Sequence, residues 1–134
     1  MARVLIVDHS STELSKLKSL LEQLGHQVLS AENGADGVVL AREEQPDAVV
    51  MDILLPGLNG FQATRQLSMD AETTHIPVII TSNRDQETDE IWARRQGAKG
   101  YLLKPVAKER LAHLLTDLSS PKLRAIAPQS AYGT

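Results

Sequence analysis

The run Ala48-Val49-Val50-Met51-Asp52-Ile53-Leu54-Leu55-Pro56-Gly57-Leu58-Asn59-Gly60 decides how this chain folds. Its first four residues are continuously apolar, the pattern of a strand covered on both faces in a parallel sheet. Asp52 then sets a lone carboxylate where that strand ends. Pro56-Gly57 breaks the chain, and Asn59 is suited to cap the helix that follows. In α/β sheets, ligands bind outside the carboxyl ends of the strands near the switch point, which is where this carboxylate stands.

Short β-branched runs alternate with helical patterns on both sides of this segment, which predicts repeated βαβ units and a parallel sheet. The first strand is Val4 to Val7. After it, Leu14, Leu17, Leu20, Leu21 and Leu24 fall on one helical face, with Ser10 and Glu13 spaced as a capping box. Gly25 is placed to end that helix, and His26 to Ala31 reads as strand two. Asn33 caps a second helix that runs to about Glu44 and stops at Pro46. The helix after Asn59 presents Phe61, Thr64 and Leu67 inward. Pro77 opens strand four, Val78 to Thr81, and a polar stretch from Ser82 to Asp85 leads into a helix with Ile91 and Trp92 that ends at Gly97. Strand five is Lys99 to Leu103. Leu111, Leu114, Leu115 and Leu118 mark the last helix. Beyond Ser119 the periodicity stops, so the expected organisation is one domain over residues 1–119 and a flexible tail over 120–134.

Composition narrows the function classes. With 134 residues, 42% of them hydrophobic, the chain has the length and apolar content of a single packed core. Its 14 Lys and Arg against 17 Asp and Glu form no basic stripe, which argues against a nucleic-acid partner. The absence of cysteine excludes disulfides, thiolate metal sites and cysteine nucleophiles. Apolar runs fall far short of a membrane span, and the amino-terminal one suits a strand better than a signal peptide. A soluble cytoplasmic protein is expected.

If the five strands are parallel, Asp8, Asp52, Ser82 and Lys104 each lie at the carboxyl end of a different strand, first, third, fourth and fifth. Two carboxylates held close raise each other's cost of ionisation, so a cation is expected with them: a metal, the Lys104 ammonium, or both. Lys104 supplies a compact charge for a phosphoryl group, and Ser82 a hydroxyl donor. Together these are the parts for phosphoryl transfer onto a carboxylate. Taken singly, each has an ordinary reading as a cap or a solvated side chain; their order on successive strands is what points to a site.

Over residues 2 to 118 the chain resembles the receiver domains of two-component response regulators, the CheY-like family. The resemblance is carried by Val7-Asp8, the Asp-x-x-x-Pro-x-x-Asn-Gly pattern from Asp52 to Gly60, Pro77-Val78-Ile79-Ile80-Thr81-Ser82, and Gly100-Tyr101-Leu102-Leu103-Lys104-Pro105. It implies a flavodoxin-like, doubly wound α/β fold, five parallel strands in the order 2-1-3-4-5 with five helices. It also implies Asp52 as phosphoacceptor, Asp8 as an acidic-pocket residue, Ser82 as the switch hydroxyl, Lys104 as the phosphoryl-binding lysine and Tyr101 as the aromatic switch. The Lys104–Pro105 bond is expected to be cis. Residues 57–67 and 95–98 are further similar to the single-domain regulators of twitching motility, the PilH type.

One position departs from the family. Receivers usually carry two acids after the first strand, and the second is here His9. In the family that acid binds Mg²⁺ beside the phosphoacceptor and the backbone carbonyl two residues beyond it, here that of Leu54. Mg²⁺ is a hard ion that takes oxygen ligands, so an imidazole replaces a carboxylate poorly. Three alternatives stay open: phosphorylation with weakened Mg²⁺ binding through Asp8 and Asp52, selection by His9 of a softer metal such as Mn²⁺ or Zn²⁺, or a pseudo-receiver that works by partner binding alone. Leu54 and Arg84 fall at variable positions that in the family shape water access to the phosphoaspartate.

The resemblance thus implies a cytoplasmic single-domain response regulator, a phosphoprotein that accepts a phosphoryl group on Asp52 from a histidine kinase. It would signal to a downstream protein target in motility or pilus control, through the face of the fourth and fifth helices and fifth strand. No enzymatic activity is expected beyond its own phosphoryl transfer and dephosphorylation, no nucleic-acid or membrane partner, and a monomer or weak dimer. A haloacid-dehalogenase-like phosphatase is disfavoured, because that family needs a second Asp where Leu54 stands.

Overall fold

Strands buried on both faces require helices on both faces, and the chain supplies them in strict alternation. The structure, a computed structural model, describes residues 1–119; the expected tail over 120–134 lies outside the described residues. Its elements are β1 (Arg3–Val7), α1 (Ser11–Gln23), β2 (Gln27–Ala31), α2 (Gly34–Glu44), β3 (Ala48–Asp52), α3 (Gly60–Met69), β4 (Val78–Ser82), α4 (Glu87–Arg95), β5 (Gly100–Leu103) and α5 (Lys108–Ser119). All strand pairs are parallel, in the order β2-β1-β3-β4-β5. The doubly wound sheet expected from the sequence is the observed fold.

Alternation along each strand divides the core into two layers. Val4, Ile6, Val50 and Ile79 point to one face, where Leu17 and Leu21 of α1 and Leu111 and Leu115 of α5 cover them. Leu5, Val7, Val49, Met51 and Ile80 point to the other, beneath Val38 and Ala41 of α2, Ala63 and Leu67 of α3 and Ala93 of α4. Burying each Val, Leu or Ile contributes about 1.5–3 kcal/mol, so the register of β3, buried at every position, is strongly fixed. Ile91 and Trp92 of α4 are both nearly half exposed, and the small Ala93 is the residue that helix buries.

Local sequence sets the helix starts. Asn33 and Asn59 cap α2 and α3 as expected, and Asn59 forms a full capping box with Gln62, both bonds 2.9 Å. At Ser10 the expected capping box forms only by half. The Ser10 hydroxyl accepts from the Glu13 amide at 3.2 Å, but the Ser10 amide, which Glu13 would have capped, donates to Asp8 Oδ1 at 2.9 Å. A nearer carboxylate has taken that donor, and the Glu13 side chain is released for other contacts.

Candidate functional site

Between β1 and β3 the sheet order reverses, and the crevice at the carboxyl ends of these strands is where a doubly wound sheet binds ligands. Asp8 follows β1, Asp52 closes β3, Ser82 closes β4 and Lys104 follows β5, so the parallel register brings all four to one edge. Three of them make direct contact. Lys104 Nζ lies 2.7 Å from Asp8 Oδ2 and 3.2 Å from Asp52 Oδ1, with the lysine side chain only 10% exposed.

Charge is concentrated here away from water. Burial pushes the Asp52 carboxyl above its ordinary range; Lys104 works against that rise and Asp8 adds to it. For Lys104, burial alone would pull the ammonium down, but the Asp8 hydrogen bond and the charges of Asp52 and Asp8 outweigh it and the balance is upward. Asp8 has a partner for each oxygen, Ser10 and Lys104. Asp52 does not: its Oδ1 is buried and ion-paired with Lys104 at 3.2 Å, and has no hydrogen-bond partner among the described residues. Asp52 is therefore the less fully hydrogen-bonded of the two carboxylates, as suits a nucleophile or cation ligand.

The turn after Asp52 holds it by its backbone. Gly57 has φ 69°, a left-handed conformation suited to glycine. The Gly60 amide, at the head of α3, donates to the Ile53 carbonyl at 2.9 Å. A Cβ at Gly60 would collide with the Asp52 carbonyl and stand 2.8 Å from Ile53 Cα. Helix α3 is thus seated directly on the backbone of the carboxylate, which only a residue without a side chain permits.

The Lys104 amide donates to the Ser82 carbonyl at 2.8 Å, but the Ser82 hydroxyl turns to Arg84 instead of the ammonium. That hydroxyl accepts from the Arg84 amide at 3.0 Å and lies 3.4 Å from the Arg84 carbonyl, while Tyr101 donates its hydroxyl to that same carbonyl at 3.3 Å. The Arg84 guanidinium reaches Asp89 of α4 at 2.9 Å. Ser82 and Tyr101, singled out from sequence, are therefore joined through Arg84, a junction that sequence reasoning did not find. Its only sequence signal is the two-residue spacing from Ser82, which allows a hydroxyl turn. Glu13 is the second residue missed: its Oε1 lies 3.9 Å from Lys104 Nζ.

Of the remaining expected site residues, His9 is exposed and makes no hydrogen bond or ion pair among the described residues. The Leu54 side chain is 64% exposed. The Lys104–Pro105 bond is cis, as anticipated. An open cleft of about 460 Å³ lies on a different face, lined among others by Glu87 and Glu90 of α4, Tyr101 and Leu103 of β5 and Arg110 of α5.

As a cation site, the donor set is hard: two buried carboxylates, one with an oxygen that lacks a hydrogen-bond partner among the described residues. Such donors suit Mg²⁺. The exposed imidazole of His9 adds nothing to that set.

Comparison with known proteins agrees with this geometry. Residues 4–116 match the model of the response regulator receiver domain. Over 111 residues the chain is 67% identical to protein PilH of Pseudomonas aeruginosa, covering 83% of this chain and 92% of that protein. A response regulator receiver domain protein from Clostridium thermocellum superposes with a TM-score of 0.81 at 32% identity, covering 88% of this chain and 94% of that one. The receiver domain of the sensor histidine kinase PA1611 from Pseudomonas aeruginosa, which has a magnesium ion coordinated in its active site cleft, superposes with a TM-score of 0.82 at 26% identity, covering 89% and 98%.

Proposed function

We propose, from the premise that this chain belongs to the family of response regulator receiver domains, that Asp52 accepts a phosphoryl group from the phosphohistidine of a histidine kinase. The observation that carries this reading is the buried Asp52 oxygen, 3.2 Å from the Lys104 ammonium and with no hydrogen-bond partner among the described residues. In the transfer, a carboxylate oxygen of Asp52 forms the bond to phosphorus while the bond from phosphorus to the histidine nitrogen breaks, and the imidazole leaves. Lys104, anchored by Asp8, neutralises charge on the phosphoryl oxygens. Mg²⁺, held by Asp8, Asp52 and the Leu54 carbonyl, would supply further charge neutralisation.

The phosphoryl group brings a charge of about −1.5 to −2. Ser82 answers it by giving up its Arg84 contacts to donate its hydroxyl to a phosphoryl oxygen. Because Tyr101 is tied to the same Arg84 carbonyl, a change at Ser82 reaches the aromatic ring on β5. The result is a shift between two populations, read by a partner that prefers one of them. Exposed Leu103, which lines the cleft, and Ile91 and Trp92 exposed on α4 support the face of α4, β5 and α5 as the output surface. The downstream target is a protein, in pilus or motility control by analogy with the similarity to PilH. The reading places the protein in the cytoplasm, where no enzymatic activity beyond its own phosphoryl transfer and dephosphorylation is assigned to it. Consistent with that place, no helix among the described residues is long and apolar enough to cross a membrane.

Incubation with acetyl phosphate, with and without Mg²⁺, followed by intact-mass measurement tests the proposal. Wild type should gain one phosphoryl group in the presence of Mg²⁺ and Asp52→Asn none. If wild type gains none at any concentration of Mg²⁺ or Mn²⁺ while His9→Asp does, the domain is instead a phosphorylation-independent interaction module.

A further inference from the structure

Helix α4 is lightly held. Ala93 is the one residue it buries, and its N-cap, Gln86, makes no side-chain hydrogen bond to the first turn. That turn is tied to the loop before it by an ion pair, 2.9 Å between Arg84 Nη2 and Asp89 Oδ2. The Asp89 side chain is only 14% exposed, and Oδ2 is buried with no hydrogen-bond partner among the described residues. Arg84 is also the only ion-pair partner of Asp89 among those residues. A carboxylate withdrawn this far from water is costly to leave without its counter-charge.

Where the guanidinium points is set at the other end of the same residue. The Arg84 amide donates to Ser82 Oγ at 3.0 Å, closing a two-residue hydroxyl turn. The Arg84 carbonyl lies 3.4 Å from that hydroxyl and 3.3 Å from the hydroxyl of Tyr101. Arg84 thus has its backbone held by Ser82 and its side chain held by α4. Asp85, Gln86, Glu87 and Glu90, on the segment this arrangement secures, line the cleft beside β5 and α5.

We infer that the Arg84–Asp89 ion pair is a latch, which holds the first turn of α4 while the Ser82 hydroxyl keeps its turn with Arg84 and lets it go when that hydroxyl is drawn away. The two ends of the pair respond differently to release. The Arg84 side chain is already 52% exposed, so water takes over its charge at little cost. Asp89 cannot stay where it is, because it would be a nearly buried carboxylate without a partner. The first turn of α4 must therefore shift to bring Asp89 to water, and one wall of the cleft moves with it. Arg84 acts as a positioning residue, passing the state of a buried hydroxyl to a helix that the core grips only at Ala93.

Amide hydrogen exchange across residues 87–95 of the full chain, read by mass spectrometry, tests the latch without phosphorylation. Asp89→Asn and Ser82→Ala are each expected to accelerate exchange there about fivefold or more, within the usual range of coupling between sites. The double variant should exchange less than about twofold faster than either single one, because both substitutions act on one link. Arg84→Met should behave as Asp89→Asn does, and Arg84→Lys, which keeps the charge, should stay within about twofold of wild type. Effects that multiply in the double variant would overturn the inference, as would unchanged exchange in Asp89→Asn or Arg84→Met. Equal acceleration in β1 and β3 would mark general loosening and overturn it too. A second arm rests on the reading of Asp52 as phosphoacceptor. Acetyl phosphate with Mg²⁺ should accelerate exchange across α4 in wild type but add less than about twofold in Asp89→Asn, with intact mass showing equal modification of both. If no phosphoryl group is gained, that reading fails and the latch is judged on the first arm; if one is gained and Asp89→Asn responds as fully as wild type, the reading stands and the latch falls.

Discussion

Lys104 holds Asp8 at 2.7 Å and Asp52 at 3.2 Å, so the buried cation is bound more closely by Asp8 than by Asp52, the acid proposed as phosphoacceptor. Asp8 thus fixes the ammonium more tightly, and Asp52 Oδ1 is left with the longer ion pair and no hydrogen bond among the described residues.

Lys104→Met tests how far this cluster depends on its cation. Removing one member of a buried ion pair typically costs about 3–5 kcal/mol, because the partner is left charged and dry. The expected result is a loss in that range in urea unfolding. Adding Asp8→Asn to Lys104→Met should recover part of it, since the double variant no longer buries the unpaired Asp8 charge.

Asp52→Asn should stabilise the fold at neutral pH. The folded-state pKa of Asp52 is raised above 3.8, mainly by burial. Its favourable contribution is therefore present below 3.8 and is lost as pH rises through the raised value. At pH 7 the ionised form is a burden that the amide removes. A rise in melting temperature of roughly 3–6 °C is expected, the span that about 1 kcal/mol produces in a domain of this size. The difference from wild type should shrink as the melt is repeated at lower pH, and a difference that grows toward acid would contradict the assignment.

Gly60→Ala probes the seat of α3. The new methyl would meet the backbone of Asp52 and Ile53, neither of which is a flexible side chain able to move aside. Overpacking of this kind costs about 1–3 kcal/mol. If Asp52 is the acceptor as proposed, phosphorylation by acetyl phosphate should fall as well, because the strain is applied at its own peptide. Equal stability and equal phosphorylation in the variant would show that α3 can slide.

Tyr101→Phe removes the hydroxyl that ties β5 to the Arg84 carbonyl. A hydrogen bond of this sort contributes about 0.5–1.5 kcal/mol, and its 3.3 Å length places it toward the weak end. Global stability should change little. Amide hydrogen exchange between residues 83 and 87 should accelerate, and unaltered protection there would indicate that Ser82 alone holds the loop.

Fold and site differ in how legible they were. The five strands were readable because burial on both faces forces uninterrupted apolar runs, as in Ala48 to Met51, and the caps because Asn33 and Asn59 act on neighbours in sequence. Asp8, Asp52 and Lys104 were readable as a group once the strands were taken as parallel, since strand ends must meet. The destination of Glu13 was not readable. It depends on whether Asp8 or Glu13 captures the Ser10 amide, a competition between two carboxylates that spacing alone does not decide. The junction at Arg84 was hidden for a similar reason: it is made by backbone atoms, which carry no residue-specific signal. Likewise Ile91 and Trp92 follow a helical pattern yet stay nearly half exposed, because α4 meets the sheet through Ala93.

The large exposed side chains Ile91, Trp92 and Leu103 and the buried trio Asp8, Asp52 and Lys104 share no atoms and no layer of the core. Such separation lets the two change on different schedules. A duplicated copy of this chain could acquire a new listener by substitution on α4 and β5 while its acceptor chemistry stayed intact. The reverse path is closed at Gly60, where even a methyl reaches the backbone of Asp52.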